Sequence, residues 1–233
     1  ATSVATITGT AAAIVTAAQS TGVTTAANYA ATVDSGTLSV ANALILDADT
    51  TGVITASIAE GDLATLKTLT DANNNNALTI TVTDTSAAAA DLIAIDAITS
   101  VAIDASAVSA ATGSAANLST VASSAGINAG NFAATVDAGV AAASDLIAID
   151  RGASGTVTAT GVTTILGTGV EIVTIARSGG ITTASDYAAS VSGTASVAII
   201  NIVDSATTGV ITATASDGDL VTLKTLTNAN SNN

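Results

Sequence analysis

Cysteine, histidine, proline, methionine and tryptophan are all absent from this 233-residue chain, and its aromatic content is two Tyr and one Phe. Without Cys and His there are no thiol nucleophiles, no disulfides, no imidazole acid/base chemistry and no ordinary zinc site. Secreted chains need not use disulfides, so the missing Cys does not assign a compartment. With so few aromatics, the core must be filled by Ala, Val, Ile and Leu, which suit thin repeated layers better than an irregular globular interior. Basic residues are nearly missing as well: only Lys67, Arg151, Arg177 and Lys224 oppose 18 acids, giving a net charge of −14. That balance excludes nucleic acid as a partner, because phosphate neutralisation needs Lys and Arg, and an anionic membrane surface would repel the chain. No apolar run reaches the roughly 18 residues of a membrane span, so membrane insertion is not expected. No basic-then-apolar signal opens the sequence, and the lack of Met predicts processing or an upstream segment.

What the sequence has in abundance is repetition, and 48% of it is hydrophobic. TTGVITASIAEGDLATLKTLTDANNNN, with its first glycine at Gly52, recurs as TTGVITATASDGDLVTLKTLTNANSNN around Gly209, an offset of 157. Residues 1–76 match about 159–233, with one residue of slippage near Asp34. Within this long repeat the segments LILD, LIAID, LIAID and NIVD end at Asp47, Asp96, Asp150 and Asp204, which mark double units of about 52 residues. Each divides again at a small residue: Gly9, Gly36, Gly61, Ser86, Gly113, Gly139, Gly167, Gly193 and Gly218 are 25 to 28 positions apart. A period of about 26 residues is that of a solenoid, and 1–233 reads as one continuous stack of about nine rungs.

Before the small residue the pattern alternates with period two. It assigns Ile54, Ala56, Val101, Ile103, Val157, Ala159, Ile211, Ala213, Leu78, Ile80 and Val82 to the inside, and Thr55, Thr158, Thr212, Thr79 and Thr81 to the outside. After it the spacing becomes three, as in Leu63, Leu66 and Leu69, or Leu92 and Ile95, Leu118 and Val121, Ile172 and Ile175. Thr10, Asp62, Ser86, Ser114 and Thr168 stand at N-cap positions, and Gly22, Gly126 and Gly179 at the far ends, so a short helix is expected. The fold class is therefore a repeat protein: an α/β solenoid with parallel strands and short helices. Parallel strands stack about 4.8 Å apart while helices pack at about 8 to 10 Å, so an all-β solenoid, with the GTAAxI segments as a second strand and corner, is the alternative. Nine rungs at about 4.8 Å correspond to a sheet of roughly 43 Å.

ITVTDTSAAAADLIAID (Ile80 to Asp96), TTGVITASIAEGDLATL and VTTILGTGVEIVTI resemble the tandem Ala/Thr/Asp-rich repeats of very large secreted bacterial surface or matrix proteins, including those of cyanobacteria. The resemblance covers essentially the whole chain and implies an extracellular, non-enzymatic, structural role. It carries over no functional residue.

Several residue groups invite a site. Asp91 with Asp96, and Asp145 with Asp150, form paired carboxylates in DLIAID. Acid catalysis needs two carboxylates converging in a cleft, which an open stack does not offer. Asp96, Asp150 and Asp204 are the candidate Ca2+ ligands, although equivalents two rungs apart lie about 10 Å from each other, too far to share one ion, and a structural or solubilising role is the first expectation. No other cofactor is implied. The outward T-x-T pairs suit ordered water, but Ser57 and Asp104 interrupt them. Asn73 to Asn76 and Asn228 to Asn233 read as polar loops, or as an Asn ladder between rungs. Asn117 opens one glycosylation sequon. Tyr29, Phe132 and Tyr187 share one phase and are expected to fill a wider corner of the core. Lys67 and Lys224 repeat the same phase among periodic Leu, with nothing to make a catalytic base of either. No catalytic residue is assigned, and the chain is not expected to be an enzyme. The expectation is a segment of an extracellular fibre, surface layer or filament that self-associates end to end or laterally. An adhesin stalk or surface glycan-binding module is the alternative. GDLVTLKTLTNANSNN lacks the ALTITV strand that follows its first copy, so its open edge is expected to be covered by further chain or another molecule.

Overall fold

The computed structural model describes residues 4–229 and 231. In chain order the elements are β1 (Val4–Thr10), α1 (Ala11–Ala18), β2 (Thr25–Ser35), α2 (Val40–Asp49), β3 (Ile54–Ser57), α3 (Leu63–Leu66), β4 (Asn76–Thr79), β5 (Ser86–Ala88) and α4 (Ala89–Asp96). There follow β6 (Ile103–Asp104), β7 (Ala110–Gly113), α5 (Ala115–Ser123), β8 (Ile127–Asn128), β9 (Phe132–Val136), β10 (Gly139–Ala142) and α6 (Ala143–Gly152). The remainder is β11 (Ser154–Ala159), β12 (Val162–Gly167), α7 (Gly169–Arg177), β13 (Ile181–Thr183), β14 (Ala188–Ala195), α8 (Val197–Ala206), β15 (Ile211–Ala215) and α9 (Leu220–Leu223). The protein is thus α/β, with parallel strands in several sheets and, among the described residues, nine short helices. Those helices overturn the all-β alternative. No helix among the described residues is long and apolar enough to cross a membrane.

The chain forms two compact units, Ala1–Val108 with Ser124–Gly130, and Ser109–Ser123 with Asn131–Asn233. In the first, β1, β2, β3 and β4 lie side by side in sequence order, and β6 pairs with β8. In the second, β10, β12, β14 and β15 form one sheet, and β7, β9, β11 and β13 are successive neighbours in another. Every one of these pairings is parallel and joins positions one repeat apart: Ile54 faces Asn76, Gly139 faces Val162, and Val157 faces Ile181. A parallel pair needs a crossover of a dozen or more residues, and the helix of each repeat supplies it.

Alternation sets the core. Ile54 and Ala56 are buried while Thr55 and Ser57 are exposed, and Phe132, Ala134 and Val136 turn inward between exposed Ala133 and Thr135. Helices bury their three-spaced apolar positions: Leu63 and Leu66, Leu92 and Ile95, Leu118 and Val121, Leu146 and Ile149, Ile172 and Ile175. Two inward assignments differ. Val101 is half-buried because the strand starts only at Ile103, and Ala213 is exposed. Tyr29, Phe132 and Tyr187 are buried and rank among the largest enclosed side chains, as expected of corner fillers.

Where a single strand per repeat was expected, the second unit has two. β11 pairs with β9 and β13, and β12, two residues further on, pairs with β10 and β14. Short segments such as Gly139–Ala142 are the added strand, so the small-residue phrase is part strand and part helix start. This corrects the cap assigned to Ser86, which lies in β5; α4 begins at Ala89, after Ala88, with no side-chain cap. Thr10, Asp62 and Thr168 do cap, accepting from Ala13, Thr65 and Glu171 backbone N–H groups, and Thr168 completes a capping box with Glu171. Ser114 likewise accepts from the Asn117 N–H at 3.2 Å. Glycine is spent at the corner rather than at the helix end. Gly36 and Gly193, equivalent in the long repeat, have φ of 79° and 71°, a left-handed backbone that a side chain would strain, whereas Gly22, Gly126 and Gly179 have no such φ. Helices approach through small residues: a side chain on Gly152 of α6 would overlap the Ala122 carbonyl of α5. That closeness is how helices follow the tighter strand spacing.

Candidate functional site: hydrogen bonds between successive repeats

Among the described residues, the buried polar side chains of Asp47, Thr50, Asn75, Asp204 and Thr207 bond from one repeat to the next. Asp47 sits near the end of α2 and is only 3% exposed. The loop after α3 leaves backbone N–H groups outside any ladder, and a buried donor needs a partner. Asp47 provides one: it accepts from Thr70 Oγ1 at 2.6 Å and from the Ala72 N–H at 3.2 Å. Its backbone carbonyl also accepts from Asn73 Nδ2 at 3.0 Å. In α8 the equivalent Asp204, fully buried, accepts from Thr227 Oγ1 at 2.7 Å and the Ala229 N–H at 2.8 Å. Hydrogen bonds to an ionised acceptor are the stronger kind, and they offset the cost of burying the charge.

A second set joins helix starts to the repeat that follows. Glu60 accepts from the Val40 N–H of α2 at 2.9 Å, Asp84 from the Leu63 N–H of α3 at 2.7 Å, and Asp217 from the Val197 N–H of α8 at 2.7 Å. First-turn N–H groups have no partner within a helix, and a carboxylate there is also attracted to the positive end of the helix dipole. Ser39 and Ser196 serve neighbouring N–H groups of α2 and α8. Sequence reasoning missed Glu60, Asp84 and Asp217. Their signal was present, an acid one or two positions ahead of Gly61, Ser86 and Gly218.

A third set surrounds the aromatics. Thr50 Oγ1 donates to the Tyr29 carbonyl and accepts from the Gly52 N–H at 3.0 Å; Thr207 does the same for Tyr187 and Gly209. The Tyr29 hydroxyl donates to Asp49 at 2.7 Å, while the equivalent of Asp49 is Ala206 and the buried Tyr187 hydroxyl has no partner among the described residues. Burial raises both phenol pKa values above the usual 10, and Asp49 raises that of Tyr29 further.

The Asn73–Asn76 loop is bound to the preceding repeat rather than free in solvent. Asn75 and Asn76 are buried, and Asn75 Nδ2 donates to the carbonyls of Thr50 at 2.9 Å and Gly52 at 2.7 Å. Asn74 and its equivalent Ser231 both adopt a left-handed backbone, with φ of 52° and 55°. Asn230, Asn232 and Asn233 of the second loop lie outside the described residues.

The three candidate cation ligands are engaged in different ways. Asp96 lies against Gly126, and burial raises its carboxyl pKa. Asp150 accepts from Ser178 Oγ at 2.9 Å and Asp204 from the Thr227 loop. Among the described residues no group of three or more His, Cys, Asp or Glu is placed to hold a metal ion. Asp91, the partner proposed for Asp96, instead pairs with Lys67 at 3.0 Å, and Asp145 lies in the first turn of α6. Asn117 of the sequon is half-buried in α5, and Thr79, Thr81, Thr160, Thr212 and Thr214 are exposed. Comparison with protein-family models, with curated proteins and with solved structures finds no match.

Proposed function

We propose that the chain is a segment of an extracellular structural fibre, surface layer or matrix filament, built by axial stacking of about nine rungs of an α/β solenoid running through residues 1–233. The observation that carries this reading is the direction of the polar chemistry. Asp47 and Asp204, Glu60 and Asp217, and Thr50 and Thr207 bind the neighbouring repeat, and each pair is related by the 157-residue offset. What recurs is a set of contacts for holding repeat on repeat, the property a stiff rod requires. No catalytic role and no cofactor belongs to this reading. A net charge of −14 keeps such rods soluble, and the resemblance to secreted repeat proteins supports a place at the cell surface.

The expected partners are further copies of the protein, end to end or side by side. Electron microscopy of the purified full chain over a range of concentrations tests the proposal. Rods that join into filaments or sheets support it, and particles that stay single and short at every concentration contradict it.

A further inference from the structure

Charge is sorted by element in the second unit. β10, β12, β14 and β15 hold none of the chain's 18 acids and none of its four bases. The acids stand on helices, as at Asp145, Asp150 and Glu171, and in loops, as at Asp137, Asp186 and Asp217. Parallel pairing lines up the outward side chains of this sheet in two files. Val140 lies beside Thr164 and Ala188, and Ala142 beside Leu166, Ser190 and Thr212. The Ala189 N–H donates to the Val210 carbonyl at 2.9 Å, which sets Val210 at the end of the first file. Ala141, Ile165, Ala189 and Ile211, each one position further on, are buried. Three bulky apolar side chains of this outer face stay open: Val140, Val210 and Leu166 are 65%, 63% and 42% exposed. Val53, the equivalent of Val210, is 52% exposed although β3 lies between β2 and β4, so the exposure belongs to the face and not to a sheet edge. The other sheet of the second unit differs. Thr112, Thr135, Thr158 and Thr182 align across β7, β9, β11 and β13, and no bulky apolar side chain of those four strands is exposed.

We infer that the outer face of β10, β12, β14 and β15 is the surface by which copies of this protein lie side by side, packed against the same face of a second copy. Charge selects that occupant. Two chains of net charge −14 repel within a Debye length of about 8–10 Å, and they approach at least cost where neither presents a charge. A basic or acidic partner finds no counter-charge on this face, whereas a second copy of it brings none to desolvate. The relief also fits: bulky Val140, Leu166 and Val210 alternate with small Ala142, Ala188 and Ser190, as two sheet faces that interdigitate require. Four strands about 4.8 Å apart and roughly 15 Å of each strand give a face of about 300 Å² per copy. That is less than the roughly 800 Å² per partner of a stable pair, so the contact is weak singly and gains by repetition along a filament. The inference deepens the fibre reading and rests on it, by naming the face used for side-by-side association.

The chain has no cysteine, so one introduced thiol reports on one position. Ser190→Cys marks the centre of the face and Thr135→Cys the Thr-lined sheet, each in the full chain and each checked for folding by circular dichroism. A bis-maleimide linker long enough to span sheets about 10 Å apart traps pairs of copies, which are counted as covalent dimers. Ser190→Cys is expected to give about tenfold more dimer than Thr135→Cys, although Thr135 is the more exposed and random collision favours it. Added salt is expected to raise the Ser190→Cys yield, because it screens the repulsion and the contact itself carries no charge. Leu166→Glu in the Ser190→Cys chain is expected to lower the yield to that of Thr135→Cys. Equal yields at the two positions, a yield that falls with salt, or a yield untouched by Leu166→Glu overturns the inference. So does the absence of dimers at both, and protection of Ser190→Cys from maleimide by neutral lipid vesicles or a neutral polysaccharide would then assign the face to that occupant. Filaments are scored separately by microscopy. Filaments without Ser190→Cys pairing leave the fibre reading standing and remove this one, and pairing without filaments does the reverse.

Discussion

Replacing Gly52 by Ala isolates the closeness of neighbouring repeats from every other property of the fold. Gly52 has no left-handed φ, so its backbone accepts an alanine; the obstacle is space alone. A methyl at this position would overlap the carbonyl oxygens of Asn28 and Tyr29, which are backbone atoms and cannot swing aside as a side-chain tip does. Non-bonded atoms need about 3.5 Å, so β3 must move away from β2. That movement stretches the Ala31 N–H to Val53 carbonyl and Thr51 N–H to Ala27 carbonyl bonds, both 2.9 Å, together with the Thr50 contact to Tyr29. Overpacking costs about 1–3 kcal/mol and each weakened hydrogen bond about 1 kcal/mol, against a gain of about 0.4–1 kcal/mol from a stiffer unfolded chain. The net expectation is a loss of about 3–6 kcal/mol, or on the order of 6–24 °C in Tm for a chain of this size. Gly179→Ala is the control, because nothing lies within 4 Å of a methyl there and its φ is not left-handed; it is expected to be neutral or slightly stabilising. Urea unfolding followed by circular dichroism, with hydrogen exchange in β2 and β3, measures both. The reasoning is refuted if Gly52→Ala shifts the midpoint no more than Gly179→Ala does.

Asp47→Ala leaves the Thr70 hydroxyl and the Ala72 N–H without their acceptor, and a loss of about 2–4 kcal/mol is expected in thermal or urea unfolding. Asp204→Ala, which removes the same kind of acceptor from Thr227 and Ala229 and is itself fully buried, is expected to cost a similar amount, and a negligible loss would contradict the burial argument. Ala206→Asp places a carboxylate where Asp49 serves Tyr29, and is expected to stabilise the second unit by about 0.5–1.5 kcal/mol while raising the Tyr187 pKa; a Tyr187→Phe background should abolish the gain. Both phenols ionise at higher pH when folded than when unfolded. The unfolded state is therefore favoured as pH rises above about 10, and stability should fall from there up to the folded pKa values. Phenolate absorbance should accordingly appear together with unfolding, and ionisation at pH 10 in the folded protein would contradict this.

Local signals in the sequence carried well into the structure. Strand alternation around Ile54 and Ala56, the helix spacing of Leu63 and Leu66, and the caps at Thr10, Asp62 and Thr168 each depend on a few neighbouring residues. The second strand did not, because Gly139–Ala142 is three-quarters Val and Ala, and what makes it a strand is Val162 to Leu166 one repeat away. For the same reason Asp47 read only as a marker of the 52-residue unit: the returning loop at Thr70 and Ala72 reveals what it holds. The Asn73–Asn76 run read as a polar loop because composition does not disclose that Asn75 meets the Thr50 and Gly52 carbonyls. Glu60 and Asp217 were legible in principle, as acids fixed in phase ahead of a corner glycine, and were read only as part of the net charge.

X-ray diffraction from an aligned, dried film of the full chain tests the stacked-rung account most directly. Strands lying across the rod axis predict a reflection near 4.7–4.8 Å on the meridian, along the direction of alignment. The same spacing on the equator, or its absence from well-aligned material, would contradict the account.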